Sequence, residues 1–399
     1  MSDTLQRCVG SDFASEYWGI RPLLQRGGCF TDLLDLDAVD DLLSERGLRT
    51  PFVRVVRDGR VQPASAYTGG AGLGAQIPDQ VRDDLLMELL DGGATVVLQA
   101  LHRLWPPLRE FCADLEGSLG CAVQANAYLT PGGNTGFATH YDTHDVFVLQ
   151  IAGTKHWLIH EPVYADPLER QPWGGRADEV AAQSSGPPYL DHVMVPGDLL
   201  YLPRGWLHAA SALDGISLHI TLGVHRPTRY SIVEALMGLA AGHLPLRAGL
   251  PLGVDVTDPA QLGPLLSTTV AAVQEWMATV EPSEVASQLH TPQWTATRPG
   301  PVRPVAQLSF AASLTVDDVV RVRPGLRFAY DGTQLRLADR VITLPPSCSD
   351  ALSLILQGEP VRVGDLPGLG DDSRIVLTRR LLRESVIVPD VYEPPAVGR

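Results

Sequence analysis

The sequence predicts a mainly β core with flanking helices, followed by a helical region and a small C-terminal domain. Three observations predict this order. Short runs rich in β-branched and aromatic residues, separated by Gly and Pro turns, dominate residues 121–224. Apolar residues at helical spacing follow over about residues 229–295. Beyond a Pro-rich stretch, short strand and helix signals alternate to the end of the chain.

Composition limits the classes of protein to which the chain can belong. Its 399 residues are 45% hydrophobic and carry a formal net charge of −15, so it can bury a large core but has no overall basic field for nucleic acid or anionic membrane. No run approaches the roughly 20 apolar residues of a membrane helix, and the N-terminus lacks a signal-peptide layout. Five cysteines without a CxxC pair indicate a reducing cytoplasm, and the preference for Arg over Lys indicates a GC-rich bacterial genome.

The first 230 residues divide into a mixed part and a strand-rich part. In the mixed part, DQVRDDLLMELL and PPLREFCADLEGSLG have helical spacing and ATVVLQA is a β-type run. Strands are then predicted at CAVQANAYLTP, DVFVLQIAG, KHWLIHEP, DHVMVPGDLLYLP and ISLHITLGV. Because tight turns join these runs, we expect antiparallel sheets in a barrel or a sandwich.

The pattern changes after Pro227. RYSIVEALMGLAAGHL and TVAAVQEWMATVEPSEVASQL predict helices, and TPQWTATRPGPVRPVAQ predicts a linker. The remaining signals suit a winged-helix domain: strands at LRFAYDG, TQLRLAD, RVITLP and VIVP, and helices at CSDALSLILQ and DSRIVLTRRLLRES. These patterns predict domains at residues 1–228, 229–295 and 296–399.

An HxD pair and a distant histidine form a candidate metal site. His140 and Asp142 lie two residues apart on a predicted strand, so their side chains point to the same face. His208 follows a Pro-Gly turn, a strand and a second turn in PGDLLYLPRGWLHAA. Two imidazoles and one carboxylate form the facial triad of non-heme Fe(II) oxygenases, which leaves positions open for a cosubstrate and O2.

The other histidines of this region are interpreted mainly as structural. A histidine in a strand is more often a core or surface residue than a ligand. His219 belongs to this group although it faces the predicted barrel interior. The rest of the group is His144, His156, His160, His192 and His225.

Lys155 is the single lysine of a chain that contains thirty arginines. It follows the Gly153-Thr154 turn, and we expect it to begin a strand antiparallel to the one that leads away from the HxD pair. A 2-oxo diacid that chelates iron through its keto and C1 carboxylate oxygens leaves its far carboxylate inside an apolar barrel, where an unpaired charge is costly. We expect the Lys155 ammonium to pair with that carboxylate. A solvated hairpin lysine is the alternative.

Three segments resemble the JmjC-type ribosomal oxygenases, which are cupin-superfamily Fe(II)- and 2-oxoglutarate-dependent protein hydroxylases. The segments are FASEYWGIRPLLQRG, QANAYLTPGGNTGFATHYDTHDVFVLQIAGTKHW and PGDLLYLPRGWLHAA. The resemblance implies a double-stranded β-helix core, a helical dimerisation region and a C-terminal winged-helix domain. The resemblance covers essentially the whole chain, but the loop at residues 163–191 is not aligned with the family, and its role stays open.

The resemblance also implies the activity and its residues. It implies that O2 and 2-oxoglutarate are used to hydroxylate a protein side chain, with a ribosomal protein as the expected target, since an acidic surface suits a basic partner. The implied Fe(II) ligands and catalytic residues are His140, Asp142 and His208. The implied cosubstrate residues are Lys155, which pairs with the distal carboxylate, and the pocket residues Asn126, Tyr128 and Thr221.

Two alternatives remain at this point. The same chemistry could act on a biosynthetic peptide or a small molecule, or the chain could be a non-enzymatic metal-binding regulator whose winged helix reads DNA. We expect no specific DNA binding, because RIVLTRRLLR is the one basic cluster of the C-terminal domain. We do expect a homodimer through the apolar helical residues Ile232, Leu236, Leu239, Val270, Val273 and Trp276.

Overall fold

The chain forms two compact units that meet in sequence between Arg226 and Pro227. The structure is a computed structural model, and it describes residues 9–28, 30–74 and 76–390. Each unit has a hydrophobic core of its own. In the described part of the chain, no helix combines the length and the apolar character that a membrane span requires.

Three cysteines fall within the described residues, and all three are free thiols: Cys112, Cys121 and Cys348. Cys29 lies outside the described residues, and so do residues 1–8, which include Cys8 and the start of the segment examined for a signal peptide.

The described residues of the first unit form thirteen strands. They are β1 (Leu23–Gln25), β2 (Val53–Arg57), β3 (Arg60–Val61), β4 (Thr68–Gly69), β5 (Gln80–Val81), β6 (Thr95–Leu98), β7 (Ala122–Thr130), β8 (Asp145–Ala152), β9 (Lys155–His160), β10 (Leu190–Met194), β11 (Leu199–Leu202), β12 (Leu207–Ala212) and β13 (Ser217–His225). Eight of them form the main sheet, in the order β1-β11-β8-β13-β7-β6-β2-β3, and the minor sheet has the order β10-β9-β12. Every recorded pairing in both sheets is antiparallel, as predicted.

Short helices accompany these strands. Their bounds are Phe13–Glu16, Leu36–Asp40, Asp41–Glu45 (a π-helix), Ala64–Ala66 (a 3-10 helix), Asp83–Asp91, Leu101–Leu104, Pro106–Leu119, Trp173–Arg176 (a 3-10 helix) and Ala177–Ser184. The helix Pro106–Leu119 shows why the sequence signals worked. Proline fits its first turn, where no N–H is needed, and Gly120 ends it with a φ of 69°.

Strand β8 is apolar on both faces because both faces are buried. Val146 and Val148 belong to a cluster that also contains Trp157 and Ile159 of the minor sheet, so this cluster fills the space between the two sheets. The alternate residues, including Phe147, pack in the larger core on the other face of the main sheet. A strand covered on both sides carries a continuous hydrophobic run, which is what the sequence shows.

The prediction that β9 pairs with the strand that follows the HxD pair is wrong. Strand β8 pairs with β11 and β13, whereas β9 pairs with β10 and β12 in the other sheet. The chain therefore crosses between sheets at Gly153. This glycine has a φ of 62°, and a Cβ there would lie 2.1 Å from the carbonyl oxygen of Ile216, so a side chain is excluded.

The second unit begins with helices. Their bounds are Arg229–Ala240, Leu244–Arg247, Pro259–Met277, Pro282–Ala296 and Pro304–Ser313. The helical spacing of TVAAVQEWMATVEPSEVASQL corresponds to parts of two helices, because the first ends at Met277 and Pro282 begins the second. The linker predicted over residues 291–307 is mostly helical for the same reason. Only residues 297–303 separate two helices there, the second of which starts with Pro304.

The C-terminal part of the second unit combines short strands with two helices. The strands are β14 (Val319–Val322), β15 (Ala329–Tyr330), β16 (Gln334–Arg336), β17 (Val341–Thr343), β18 (Val361–Arg362) and β19 (Ile387–Pro389), and the helices are Ser349–Ile355 and Asp371–Arg383. Short 3-10 turns lie at Pro346–Cys348 and Val363–Asp365. Two three-stranded sheets result, β18-β14-β19 and β15-β16-β17, around one apolar core.

Candidate active site

A cavity of about 300 Å³ lies in the first unit and is lined by residues of both sheets. The lining contains all three residues of the candidate metal site, together with Lys155 and several aromatic rings. Further lining residues are Arg54, Thr95, Tyr128, Phe137, Val146, Val148, Trp157, Trp173, Leu202, His219 and Thr221.

His140, Asp142 and His208 converge at one end of this cavity. Their ligand atoms lie within 4.8 Å of one another, and Asp142 Oδ2 is 3.7 Å from His208 Nε2. The prediction that His140 and Asp142 lie on one strand is wrong. His140 forms an isolated bridge with His208, and Asp142 lies in the segment before β8. Reciprocal backbone hydrogen bonds join the two histidines, with N···O distances of 2.8 and 3.2 Å. The pairing does not continue to Asp142, whose carbonyl oxygen instead accepts from the Gly205 N–H.

Both imidazoles present Nε2 to the metal position. His140 Nδ1 lies 2.8 Å from the carbonyl oxygen of Ala138, and His208 Nδ1 lies 3.1 Å from that of Trp206. A carbonyl oxygen only accepts, so each Nδ1 carries the proton and each Nε2 keeps its lone pair. Such a backbone hydrogen bond fixes the tautomer and the ring orientation of a metal ligand.

The protonation states of these residues also suit a cation. Burial lowers the pKa of His208, and the neighbouring His140 lowers it further, so that the imidazole is neutral at pH 7. Burial opposes ionisation of Asp142, but the surrounding imidazoles and Arg54 hold the pKa of this carboxyl below its usual value. A neutral imidazole and a carboxylate are the forms that bind a metal ion.

Asp145 anchors the two segments that carry the ligands. Its carboxylate is buried at the start of β8 and accepts hydrogen bonds from the Tyr201 hydroxyl at 2.9 Å and from the Arg204 N–H at 3.0 Å. Arg226 lies 3.7 Å from the same carboxylate. Because Asp142 lies three residues before Asp145 and Arg204 belongs to the turn before His208, one carboxylate holds both sides of the metal site.

Lys155 lies at the other end of the cavity and is 3% exposed. Its ammonium donates to Thr130 Oγ1 at 3.1 Å and lies 3.4 Å from His219 Nδ1, and Thr130 Oγ1 is in turn 3.1 Å from Thr95 Oγ1. Within the described residues it forms no ion pair with a carboxylate. Burial lowers the pKa of Lys155 to about 7. The alternative that Lys155 is a solvated hairpin residue is therefore excluded. The buried ammonium lacks a carboxylate partner among the described residues.

The remaining predicted pocket residues share neighbouring strands. Tyr128 and Thr221 line the cavity on β7 and β13. Asn126 pairs in register with Thr221, but its side-chain oxygen accepts from the Ala100 N–H at 3.0 Å, and it is absent from the lining of the described cavity. The ring of His219 stacks on Tyr128 with centroids 4.8 Å apart. His219, interpreted as mainly structural, thus lies in the cavity beside Lys155.

The other five histidines lie outside the triad. His156 Nε2 is 2.6 Å from Asp191 Oδ1, and His192 Nε2 is 3.8 Å from Asp198 Oδ2. The rings of His144 and His225 stack with centroids 4.7 Å apart, and His160 is buried at the end of β9. None of them belongs to the group of potential ligands found among the described residues.

Comparisons with known proteins agree with this geometry. A family model described as the JmjC domain matches residues 104–232, which include the triad and Lys155. The bifunctional lysine-specific demethylase and histidyl-hydroxylase NO66 of Drosophila pseudoobscura pseudoobscura is 42% identical over 154 residues, or 37% of this chain and 16% of that protein. Ribosomal oxygenase 1 of Rattus norvegicus is 27% identical over 381 residues, or 84% of this chain and 63% of that protein. The chain contains a JmjC domain and is similar to proteins named ribosomal oxygenases. It spans less than two thirds of the length of these two relatives.

Solved structures extend the likeness of this JmjC-type chain along its length. The Escherichia coli ribosomal oxygenase YcfD, solved with cobalt and 2-oxoglutarate, aligns over 95% of this chain and 97% of that chain, with a TM-score of 0.55 and 17% identity. Its complex with cobalt and succinic acid gives a TM-score of 0.57. At this identity the likeness shows a shared fold, and it confirms the predicted JmjC/cupin core with its helices.

Sequence reasoning missed three residues of the JmjC site: Asp145, Thr130 and Arg54. Asp145 carried a usable signal, since a carboxylate opens a run, DVFVLQIA, that is otherwise apolar except for Gln150, and an acid so placed needs a partner. Thr130 and Arg54 carried none, because threonine and arginine are ordinary in strands and their neighbours come from distant segments.

Proposed function

We propose that this protein is an Fe(II)- and 2-oxoglutarate-dependent oxygenase that hydroxylates a side chain of a protein, with a ribosomal protein as the target. One observation carries the proposal. A facial triad and a buried, unpaired lysine lie in the same cavity, so that a cation at one end and an anion at the other complete it.

Fe(II) and 2-oxoglutarate fit the residues that are present. The two free Nε2 lone pairs and the Asp142 carboxylate are the donor set of a non-heme Fe(II) site, and Lys155 suits the distal carboxylate of the cosubstrate. The E. coli YcfD structure with cobalt and 2-oxoglutarate has the same fold. When bound, the iron and its cosubstrate supply the O2-derived oxidant that removes a hydrogen atom from the target.

The chain's own residues bind and orient the cosubstrate and exclude water from the cavity. Lys155, whose ammonium donates to Thr130 Oγ1, would hold the distal carboxylate of the cosubstrate and so set the direction in which the cosubstrate points. Val146, Val148 and Trp157 give the cavity apolar walls, which keep water from the reacting atoms. Asp145 holds both ligand-bearing segments in register.

The target proposal draws on the relatives and on charge. One relative is named a histidyl-hydroxylase and another a ribosomal oxygenase. A net charge of −15 favours association with a basic partner such as a ribosomal protein segment. We place this activity in the cytoplasm, where the free thiols of Cys112, Cys121 and Cys348 stay reduced.

Mass spectrometry of the host's ribosomal proteins tests the proposal. We expect one peptide to gain the mass of one oxygen atom in cells with the gene and to lack it in cells without the gene. Complementation with His208→Ala should leave the peptide unmodified. The same spectrum with and without the gene, together with no formation of succinate from 2-oxoglutarate by the purified protein, would contradict the proposed function.

For the helices of residues 229–295 we propose a dimerisation role, and for residues 296–399 a winged-helix domain. Large apolar side chains are exposed along the first helices, including Ile232, Met237 and Val270. Obligate interfaces bury such residues. Trp276, another predicted interface residue, is instead buried beside His243 within its own unit. Light scattering should give the mass of two chains at micromolar concentration, and the mass of one chain would disprove the dimer.

We propose that the C-terminal domain does not bind DNA specifically. Two arginines of its basic cluster are engaged within the domain: Arg374 Nε donates to the carbonyl of Leu366 at 2.8 Å and Arg379 Nε to that of Ala311 at 3.0 Å. Arg374 also pairs with Asp371, which leaves Arg380 and Arg383 as the cluster's cations for phosphate contacts. Salt-sensitive nanomolar binding in an anisotropy assay would revive the regulator alternative.

A further inference from the structure

Arg54 is a second cation in the wall of the active-site cavity. It lies on β2, on the main sheet, and lines the same cavity as the triad and Lys155. Its guanidinium carbon stands 5.5 Å from the centroid of the Phe137 ring. Arg54 is also close enough to Asp142 and Tyr128 to stabilise the negative form of each. It therefore faces the end of the cavity where the metal ligands lie.

Arg54 lacks an acceptor. Its Nε atom is buried without a hydrogen-bond partner, and the side chain forms no ion pair within the described residues. A buried N–H without an acceptor is costly, so proteins keep one mainly where a ligand or water supplies the acceptor. Arginine presents five N–H donors in a planar fork that suits oxygen and nitrogen acceptors. The wall thus offers a ready donor to a molecule that enters the cavity.

The charges of the cavity limit what can enter beside Arg54. Asp142 is the one carboxylate among the described lining residues, and it belongs to the metal triad. A lysine or arginine side chain approaching the metal would meet the Arg54 guanidinium with no free anion between them, and like charges at short range are a common device for rejecting a wrong partner.

Aromatic rings favour a planar group at the same place. The centroid of the Phe137 ring lies 5.8 Å from that of His140, and the Trp173 ring lies 6.3 Å from it. Both rings also line the cavity. Flat side chains such as imidazole and carboxamide stack on such walls and carry an acceptor atom for Arg54.

We propose that Arg54 determines specificity in this site: its guanidinium donates to an acceptor of a neutral, planar target side chain and rejects the cationic side chains of lysine and arginine. This inference rests on the proposed function, because it takes the cavity as the place where a protein side chain enters.

Peptide binding by the full-length protein tests it without turnover. Four pools of short peptides carry His, Asn, Lys or Arg at the centre, with the other positions randomised among uncharged residues. Binding is measured by fluorescence anisotropy with Mn(II) and 2-oxoglutarate, at a pH near 8 where a histidine of pKa about 6.5 is neutral. We expect the His and Asn pools to bind about tenfold more tightly than the Lys and Arg pools.

Variants at two arginines of one strand assign the effect. Arg54→Met should remove the preference, Arg54→Glu should invert it, and Arg54→Lys should keep the rejection of cations. Arg57→Met is the matched control, because Arg57 lies on the same strand with its side chain 49% exposed. It should leave the preference unchanged. If Arg54→Met fails to fold, the Arg54→Lys and Arg54→Glu pair still separates charge from structure.

The outcomes separate the two ideas. Equal binding of the four pools by the natural protein, including no binding of any pool, overturns the role of Arg54, and so does an unchanged preference in Arg54→Met. A tenfold loss of 2-oxoglutarate affinity in Arg54→Met, measured by calorimetry, also overturns it, because Arg54 would then hold the cosubstrate. Failure of the natural protein to bind 2-oxoglutarate with Mn(II) would instead contradict the proposed function.

Discussion

The two ends of the cavity are built in different ways. At the metal end, the ligands come from an isolated bridge, the segment before β8 and the start of β12, and backbone carbonyls orient the imidazoles. At the lysine end, the side chains lie on strands of both sheets: Thr130 ends β7 and His219 lies within β13 of the main sheet, and Lys155 begins β9 of the minor sheet. The metal end holds its ligands ready for a cation, whereas the lysine end holds an unpaired cation that needs an anion.

Removing one metal ligand should abolish metal binding at the metal end of the cavity. In Asp142→Ala the site loses its one anionic donor, so we expect no detectable Mn(II) binding at micromolar metal and no succinate production. Folding should survive, because Asp142 is partly exposed and Asp145 still anchors the segment. Calorimetry checks the binding. Retention of iron and of natural turnover by this variant would refute the triad.

Removing the lysine should break the other end and leave the first intact. In Lys155→Ala the distal carboxylate of 2-oxoglutarate is buried without a counter-charge, at a cost of roughly 3 kcal/mol, so affinity should fall about a hundredfold. Lys155→Arg should lose less, since a guanidinium keeps the charge but is wider than an ammonium. Mn(II) binding is the internal control. Unchanged 2-oxoglutarate affinity in both variants would show that the cosubstrate does not reach this end.

Changing the pH should distinguish the lysine end from the metal end further. Burial lowers the pKa of Lys155 to about 7, so the free protein holds an ammonium below that pH and increasingly a neutral amine above it. Binding of a carboxylate at high pH must then take up a proton, and affinity for 2-oxoglutarate should fall about tenfold per pH unit above pH 7 at saturating Mn(II). In Lys155→Arg this dependence should vanish, because a guanidinium stays charged. A flat profile in the natural protein would contradict the pairing.

The smallest effect should come from loosening the anchor between the ligand segments. Asp145→Asn replaces one acceptor oxygen with a donor, so either Tyr201 or Arg204 loses its partner, at a cost of about 2 kcal/mol in the free energy of unfolding. Mn(II) affinity should fall several-fold while the pH dependence of 2-oxoglutarate binding stays the same. Tyr201→Phe removes two hydrogen bonds, the one donated to Asp145 and the one accepted from the Gly19 N–H, so its cost in the free energy of unfolding should be comparable. Denaturant unfolding and calorimetry give both quantities.

The metal end could be predicted from the sequence, and the lysine end only in part. His140, Asp142 and His208 are unusual residue types at informative spacings, so their chemistry was visible even though the expected strand was wrong. Lys155 was conspicuous through composition alone. Its contact with Thr130 was not predictable, because it depends on the crossing of the chain between sheets at Gly153.

The predicted linker failed for a different reason. Pro304 lies in the segment that was interpreted as a linker, yet it occupies the first turn of a helix, where proline is favoured. Pro292 lies inside the helix Pro282–Ala296, near its end. Proline density alone therefore does not distinguish a linker from a series of short helices.

The single lysine also makes the protein a chemical reporter of its own occupancy. The chain has one ε-amine, which is 3% exposed and whose pKa is about 7, so a useful fraction is a neutral nucleophile at ordinary pH. A small acylating reagent that enters the cavity would modify one lysine side chain and no other. Bound 2-oxoglutarate should shield it, so the rate of acylation at that amine would measure ligand occupancy in unpurified extracts, without an antibody or a fluorescent tag.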